Sequence, residues 1–204
     1  MSYLTDEEKA ERIKQWWSDN GMAVIAGLVL GIAGLFGYNW WSGQQAERAE
    51  QASEMYQALQ FSMRAGQYEQ ADEMARQLIE HGGRTPYVAL AWAHRAEVAL
   101  AGGEQEAAVA ALREAVDAAP DDGHRALFRL RLVRQLIRTE ALDEAASVLA
   151  TVEHDAFRGL RLELDGDLAR ARGDHDTARE RYREALDAGH SPEYLQLKFE
   201  DLSA

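Results

Sequence analysis

The apolar and polar positions divide the chain into two parts. Between Asp19 and Glu47 no residue carries a charge, and positions 21–41 read GMAVIAGLVLGIAGLFGYNWW. Beyond them, apolar residues recur three and four apart in short stretches, the spacing of amphipathic helices. At about 1.5 Å of rise per residue, the apolar stretch extends roughly 31 Å, close to the ~30 Å of bilayer hydrocarbon. It predicts one transmembrane helix over 21–41, with a leader over 1–20 and a water-facing domain over 42–204.

The flanks fit a span. Trp16 and Trp17 stand before it, and Tyr38, Trp40 and Trp41 close it; such amphipathic rings favour the boundary between headgroups and acyl chains. A cleaved signal peptide has a short basic start and a shorter apolar core, whereas this leader is net acidic and the run is a full span, so an uncleaved anchor is expected. Lys9, Arg12 and Lys14 precede the span and Arg48 alone follows closely. That bias puts the N-terminus in the cytoplasm and the domain beyond the membrane. In the leader, Thr5 and Glu8 have the spacing of a capping box ahead of a short interfacial helix. Within the span, Ala23, Gly27, Gly31 and Gly34 form a stripe of small residues. It reads equally as a face for another helix or as the ordinary glycine content of membrane helices.

In the domain one local pattern is written four times: Gly66-Gln-Tyr-Glu-Gln-Ala71, Gly103-Glu-Gln-Glu-Ala-Ala108, Glu140-Ala-Leu-Asp-Glu-Ala145 and Gly173-Asp-His-Asp-Thr-Ala178. Each joins a turn to acids over the first turn of a helix, where they oppose the helix dipole, and then to an alanine. Four and seven positions after each alanine stand Ala75 and Leu78, Leu112 and Ala115, Leu149 and Val152, Tyr182 and Ala185, one helix face each time. Pro86, Pro120 and Pro192 fall between amphipathic runs.

This layout resembles a tetratricopeptide repeat array. The second unit matches best: Trp92, Ala96, Gly103, Ala108, Leu112, Ala115 and Pro120 fall at the family's Trp, Gly, turn-Gly, Ala, Phe, Ala and Pro positions, with Ala96 in place of the Gly and Leu112 in place of the Phe. In the later units Glu140 replaces the turn Gly, and Arg129 and Asp165 fall where the family has apolar residues. The fold class is therefore all-α: one N-terminal transmembrane helix followed by a tetratricopeptide-like solenoid of about four helix pairs, closed by a C-terminal capping helix beginning at Pro192. In that register the first helices line a concave surface with Tyr56, Leu90, Leu100, Leu127, Leu130, Arg134, Ile137 and Leu160, a candidate groove for unfolded or extended polypeptide. Several of these positions also fit a core.

Composition narrows the chemistry. Isoleucine, valine and threonine are scarce, which starves sheets. With no cysteine there is no disulfide, thiolate zinc site or cysteine nucleophile. The net charge of −13 argues against nucleic acid as a partner. The six histidines are scattered, phosphate-loop and nucleotide fingerprints are missing, and Asp174-His175-Asp176 sits in a recurring turn and reads as a solvated helix start. No catalytic, metal or cofactor site is expected. The basic concentration Arg125, Arg129, Arg131, Arg134 and Arg138 is either the charged face of a core helix or a grip for acidic groups.

Taken together, Ile13-Lys-Gln-Trp-Trp-Ser-Asp-Asn-Gly21, Gly37-Tyr-Asn-Trp-Trp41, Ala52-Ser-Glu-Met-Tyr-Gln-Ala58, Leu130-Arg-Leu-Val-Arg134, Arg161-Leu-Glu-Leu-Asp-Gly-Asp167, Ala171-Arg-Gly-Asp174 and Asp201-Leu-Ser-Ala204 resemble the ancillary SecYEG translocon subunit family. The resemblance implies a non-enzymatic inner-membrane partner of the SecYEG translocon. It would be single-pass in the lipid bilayer, with a periplasmic domain, and would work with a PpiD-type periplasmic chaperone on unfolded secretory polypeptides. Two other readings are a repeat scaffold for cell-envelope assembly and a cytoplasm-facing regulator.

Overall fold

The computed structural model describes residues 6–202, and among them the regular elements are helical. They are α1 (Asp6–Arg64), α2 (Tyr68–His81), α3 (Pro86–Ala101), α4 (Gln105–Asp117), α5 (Asp122–Arg138), α6 (Leu142–Ala150), a 3-10 turn (Asp155–Phe157), α7 (Arg158–Ala171), α8 (His175–Asp187) and α9 (Glu193–Asp201). The cap expected at Thr5 and the closing Ser203 and Ala204 lie outside the described residues.

The chain divides into two units, Met1–Glu47 and Arg48–Ala204. The first carries the apolar helix, long and apolar enough to cross a membrane and almost wholly unburied, unlike the core helix of a soluble protein. A leader helix separate from the span was expected; instead α1 runs unbroken from Asp6 through the apolar stretch. It continues past that stretch to Arg64, because 44–60 is rich in Gln, Ala, Glu, Met and Leu, all strong helix formers, and has no proline. The indole of Trp17 lies against Gly21, 3.2 Å from where a Cβ would stand, whereas Gly27, Gly31 and Gly34 have open space there.

The second unit is the repeat stack. Ala52 and Leu59, from the last turns of α1, pack with Ala71, Ala75 and Leu78 of α2. The pairs α3–α4, α5–α6 and α7–α8 follow, and α9 closes the series on α8. The four pattern alanines Ala71, Ala108, Ala145 and Ala178 are fully buried, and the apolar residues four and seven positions later are buried with them. The main core joins successive pairs, since Ala96, Leu112, Leu130, Leu136, Leu149, Leu164 and Leu168 form one cluster. A single pair cannot bury its apolar face alone, so stacking supplies the stability.

The four inner turns share one geometry. The backbone N–H of Gln67, Glu104, Ala141 and Asp174 donates to the carbonyl five residues back, on Ser62, Ala99, Leu136 and Ala169, at 2.8 to 2.9 Å. That closure requires a left-handed residue just before the donor. Gly66, Gly103 and Gly173 supply it at φ 71°, 79° and 82°, and in the third turn Glu140 is forced to φ 59°. A side chain there costs about 1–2 kcal/mol relative to the right-handed region. Glu140→Gly is therefore expected to stabilise the domain by about 1 kcal/mol after the extra flexibility of unfolded glycine is deducted. Thermal unfolding of the two proteins side by side checks this; a lower midpoint for the glycine variant contradicts it.

Candidate functional site

Two hollows flank α5 on the side that faces the other first helices. One, of about 600 Å³, is lined by Arg134, Ile137 and Arg138 of α5, Glu163, Asp167, Arg170 and Ala171 of α7, and Tyr194 and Lys198 of α9. The other, of about 300 Å³, lies between α3 and α5 against Leu112; it has Ala93, Ala96, Glu97 and Leu100 on one wall and Arg131, Arg134, Gln135 and Arg138 on the other. Arg134 and Arg138 belong to both, so a short basic ridge separates two cups with apolar floors.

The expected groove residues meet this geometry unevenly. Leu100, Arg134 and Ile137 line the hollows. Leu130 does not: it is 1% exposed, covered by Ala96 and Leu112 of the preceding pair and Leu164 and Leu168 of the next. Its assignment to a binding surface is corrected to core. Leu160 is half-buried against the same core, and Leu90 against the Phe128 cluster. Leu127 is half-buried. The Tyr56 hydroxyl lies 3.3 Å from His94 Nε2, and His94 Nδ1 is 3.0 Å from the accepting Glu97 carboxylate, a relay that ties α1 to α3. The hydrogen bond from His94 holds the Glu97 carboxyl below its usual range against the opposing effect of burial.

The basic concentration on α5 resolves residue by residue. Arg125 pairs with Asp122, Arg129 donates to the carbonyl of Thr151 at 3.0 Å, and Arg131 stands 3.8 Å from Glu97. Arg134 and Arg138 are exposed and make no ion pair among the described residues. The Asp174 carboxylate caps α8 by accepting from the Thr177 N–H at 3.1 Å, the solvated helix start that was expected.

A polar clasp, which sequence reasoning missed, forms the far wall of the larger hollow. Glu163 is 1% exposed and accepts hydrogen bonds from Lys198 Nζ at 2.9 Å, His190 Nε2 at 2.7 Å and the Tyr194 hydroxyl at 3.2 Å. Lys198 Nζ also donates to both oxygens of Asp167, at 2.7 and 2.8 Å, and the Tyr182 hydroxyl donates to Asp167 at 2.8 Å. The available signal was the matching four-residue spacing of Glu163 with Asp167 and of Tyr194 with Lys198, which sets each pair on one helix face.

Burial pushes the Glu163 carboxyl up, but hydrogen bonds from Lys198 and His190 outweigh it and hold the group below its usual range. Burial likewise lowers Lys198, and its bonds to Asp167 and Glu163 more than reverse that. A depressed carboxyl contributes stability above its unfolded value of about 4.3, lost as pH falls through the folded value; a raised lysine contributes below about 10.4, lost as pH rises through its folded value. The stability difference between wild type and Glu163→Gln is thus expected to shrink as pH falls from about 5 to below about 4. Unfolding midpoints across that range test it; a difference that grows on acidification contradicts the clasp. Among the described residues no three His, Asp or Glu side chains are grouped to hold a metal ion.

A family model described as a tetratricopeptide repeat-like domain matches residues 14–204. A protein of Haemophilus influenzae named as an ancillary SecYEG translocon subunit is 30% identical, the match covering 97% of this chain and 97% of its relative. The chain belongs to the ancillary SecYEG translocon subunit family. An Escherichia coli relative of the same name is 26% identical over 98% of both chains. A solved structure of Pseudomonas aeruginosa PilF superposes with a TM-score of 0.63 at 21% identity, over 76% of this chain and 68% of that one, a likeness of fold alone. This family member thus joins a tetratricopeptide-like domain to one helix suited to a single-pass anchor.

Proposed function

We propose that this chain is a non-enzymatic accessory subunit of the SecYEG protein-translocation channel, anchored in the bacterial inner membrane with its repeat domain in the periplasm. The domain receives unfolded secretory polypeptides in the hollows beside α5 and passes them to periplasmic chaperones, a PpiD-type chaperone among them. The observation that carries this reading is the nearly end-to-end similarity to proteins named as ancillary SecYEG translocon subunits. The apolar helix and the excess of Lys and Arg before it support the anchor and its orientation. The open faces of Gly27, Gly31 and Gly34, in line with Ala23, offer close approach to another membrane helix. A reporter active only in the periplasm, fused after Ala204, is expected to be active, and gentle detergent extraction is expected to recover channel subunits with the tagged chain. A reporter active only in the cytoplasm would favour a cytoplasm-facing regulator, and recovery of envelope-assembly proteins without channel subunits would favour a scaffold. Either result overturns the proposal.

A further inference from the structure

We propose that the two hollows beside α5 select acidic polypeptide segments, stretches in which Asp or Glu stands next to apolar side chains. This rests on the reading of the hollows as a polypeptide groove. The chain carries a net charge of −13, yet the groove gathers Arg131, Arg134, Arg138 and Arg170. Its carboxylates are already engaged. Glu163 takes three donors, Asp167 takes Lys198 and Tyr182, and Glu97 takes His94.

Arg131 stands 3.8 Å from Glu97, but the other three arginines are the opposite case. Arg134 and Arg138 have no ion-pair partner among the described residues, and the only ion pair of Arg170 is with the exposed Asp201 at 3.2 Å, a surface contact that a ligand carboxylate can replace at little cost. A guanidinium grips a carboxylate through two parallel hydrogen bonds. Ile137 and Ala171 in one hollow and Ala93, Ala96 and Leu100 in the other supply apolar contact for the neighbouring side chains. A lysine in the same segment would meet the ridge with like charge. The field of the whole chain repels acidic polypeptides at a distance, so discrimination arises only on contact and weakens as salt screens the ridge.

The test uses the full chain in nanodiscs of zwitterionic lipid and three fluorescent peptides with the same apolar residues, carrying Glu, Gln or Lys at the variable positions. Anisotropy is expected to show the Glu peptide binding about ten-fold more tightly than the Lys peptide at low salt, with the gap narrowing as salt rises. The double variant Arg134→Gln, Arg138→Gln is expected to bind all three alike, with its thermal midpoint unchanged because neither side chain is buried or ion-paired. Equal binding of the three peptides by the wild-type chain overturns acid selection and leaves the polypeptide groove standing. A Glu preference that survives in the double variant overturns the assignment to this ridge. Failure to bind any of the three removes the groove itself, and the selectivity with it.

Discussion

Glu163→Ala is expected to cost the repeat domain about 3–5 kcal/mol, the usual penalty for breaking a buried, hydrogen-bonded ion pair from one side. The carboxylate sits almost out of reach of water and satisfies Lys198, His190 and Tyr194 together. Removing it strands three donors around a space that alanine does not fill. Lys198 keeps Asp167, which sets the loss toward the lower end of the range. The damage should begin at α9, because Tyr194 and Lys198 are on that helix and His190 is in the turn leading to it. Leu195 remains buried and Arg170 remains paired with Asp201, so α9 would loosen rather than detach. Glu163→Gln keeps the shape and one acceptor and should cost less. Denaturant unfolding of the three proteins, with hydrogen exchange over 193–201, checks both points. A midpoint for Glu163→Ala within about 0.5 kcal/mol of wild type would mean that the clasp contributes nothing, the size of change expected of an ordinary surface substitution.

Gly166→Ala is the second large effect. A methyl at Gly166 of α7 would lie 2.5 and 2.6 Å from two carbons of the Tyr182 ring and 3.2 Å from the carbonyl oxygen of Ala178. The ring is fully buried and its hydroxyl is bonded to Asp167, so it cannot retreat without giving up that bond. Alanine is the better helix former by about 1 kcal/mol, yet overpacking of about 1–3 kcal/mol opposes it. The ring is held in place by burial and by its bond to Asp167, and the Ala178 carbonyl belongs to the backbone, so the net result is a loss. Adding Tyr182→Leu should recover part of it, since the two changes share one contact and do not add. A thermal midpoint for Gly166→Ala at or above wild type contradicts the close α7–α8 approach.

Much of this fold could be read before any coordinates. The alanines at 71, 108, 145 and 178 mark where two helices come closest, and period and composition expose them because a tight contact tolerates few other side chains. The end of α1 was harder to read: hydropathy stops at the last apolar residue, while helix propensity carries on through charged residues that form helices well. Glu140 was visible as a departure from glycine, and the repeated closure of the turn explains why it still takes a left-handed backbone. The groove was legible only in part. Leu130 has the same helical spacing relative to Ile137 as a groove residue would, and burial by neighbouring pairs is a tertiary fact that periodicity does not carry. Glu163 and Asp167 look like ordinary surface acids until α9 brings Lys198 against them.

The most direct test of the account places a photo-crosslinker at Arg134, and another at Gly31, in the full chain within inner membranes that are exporting a labelled secretory protein. The account predicts capture of the exported polypeptide from Arg134 and of a channel subunit from Gly31. Capture of cytoplasmic proteins alone from Arg134, or of no exported chain while export proceeds, would contradict it.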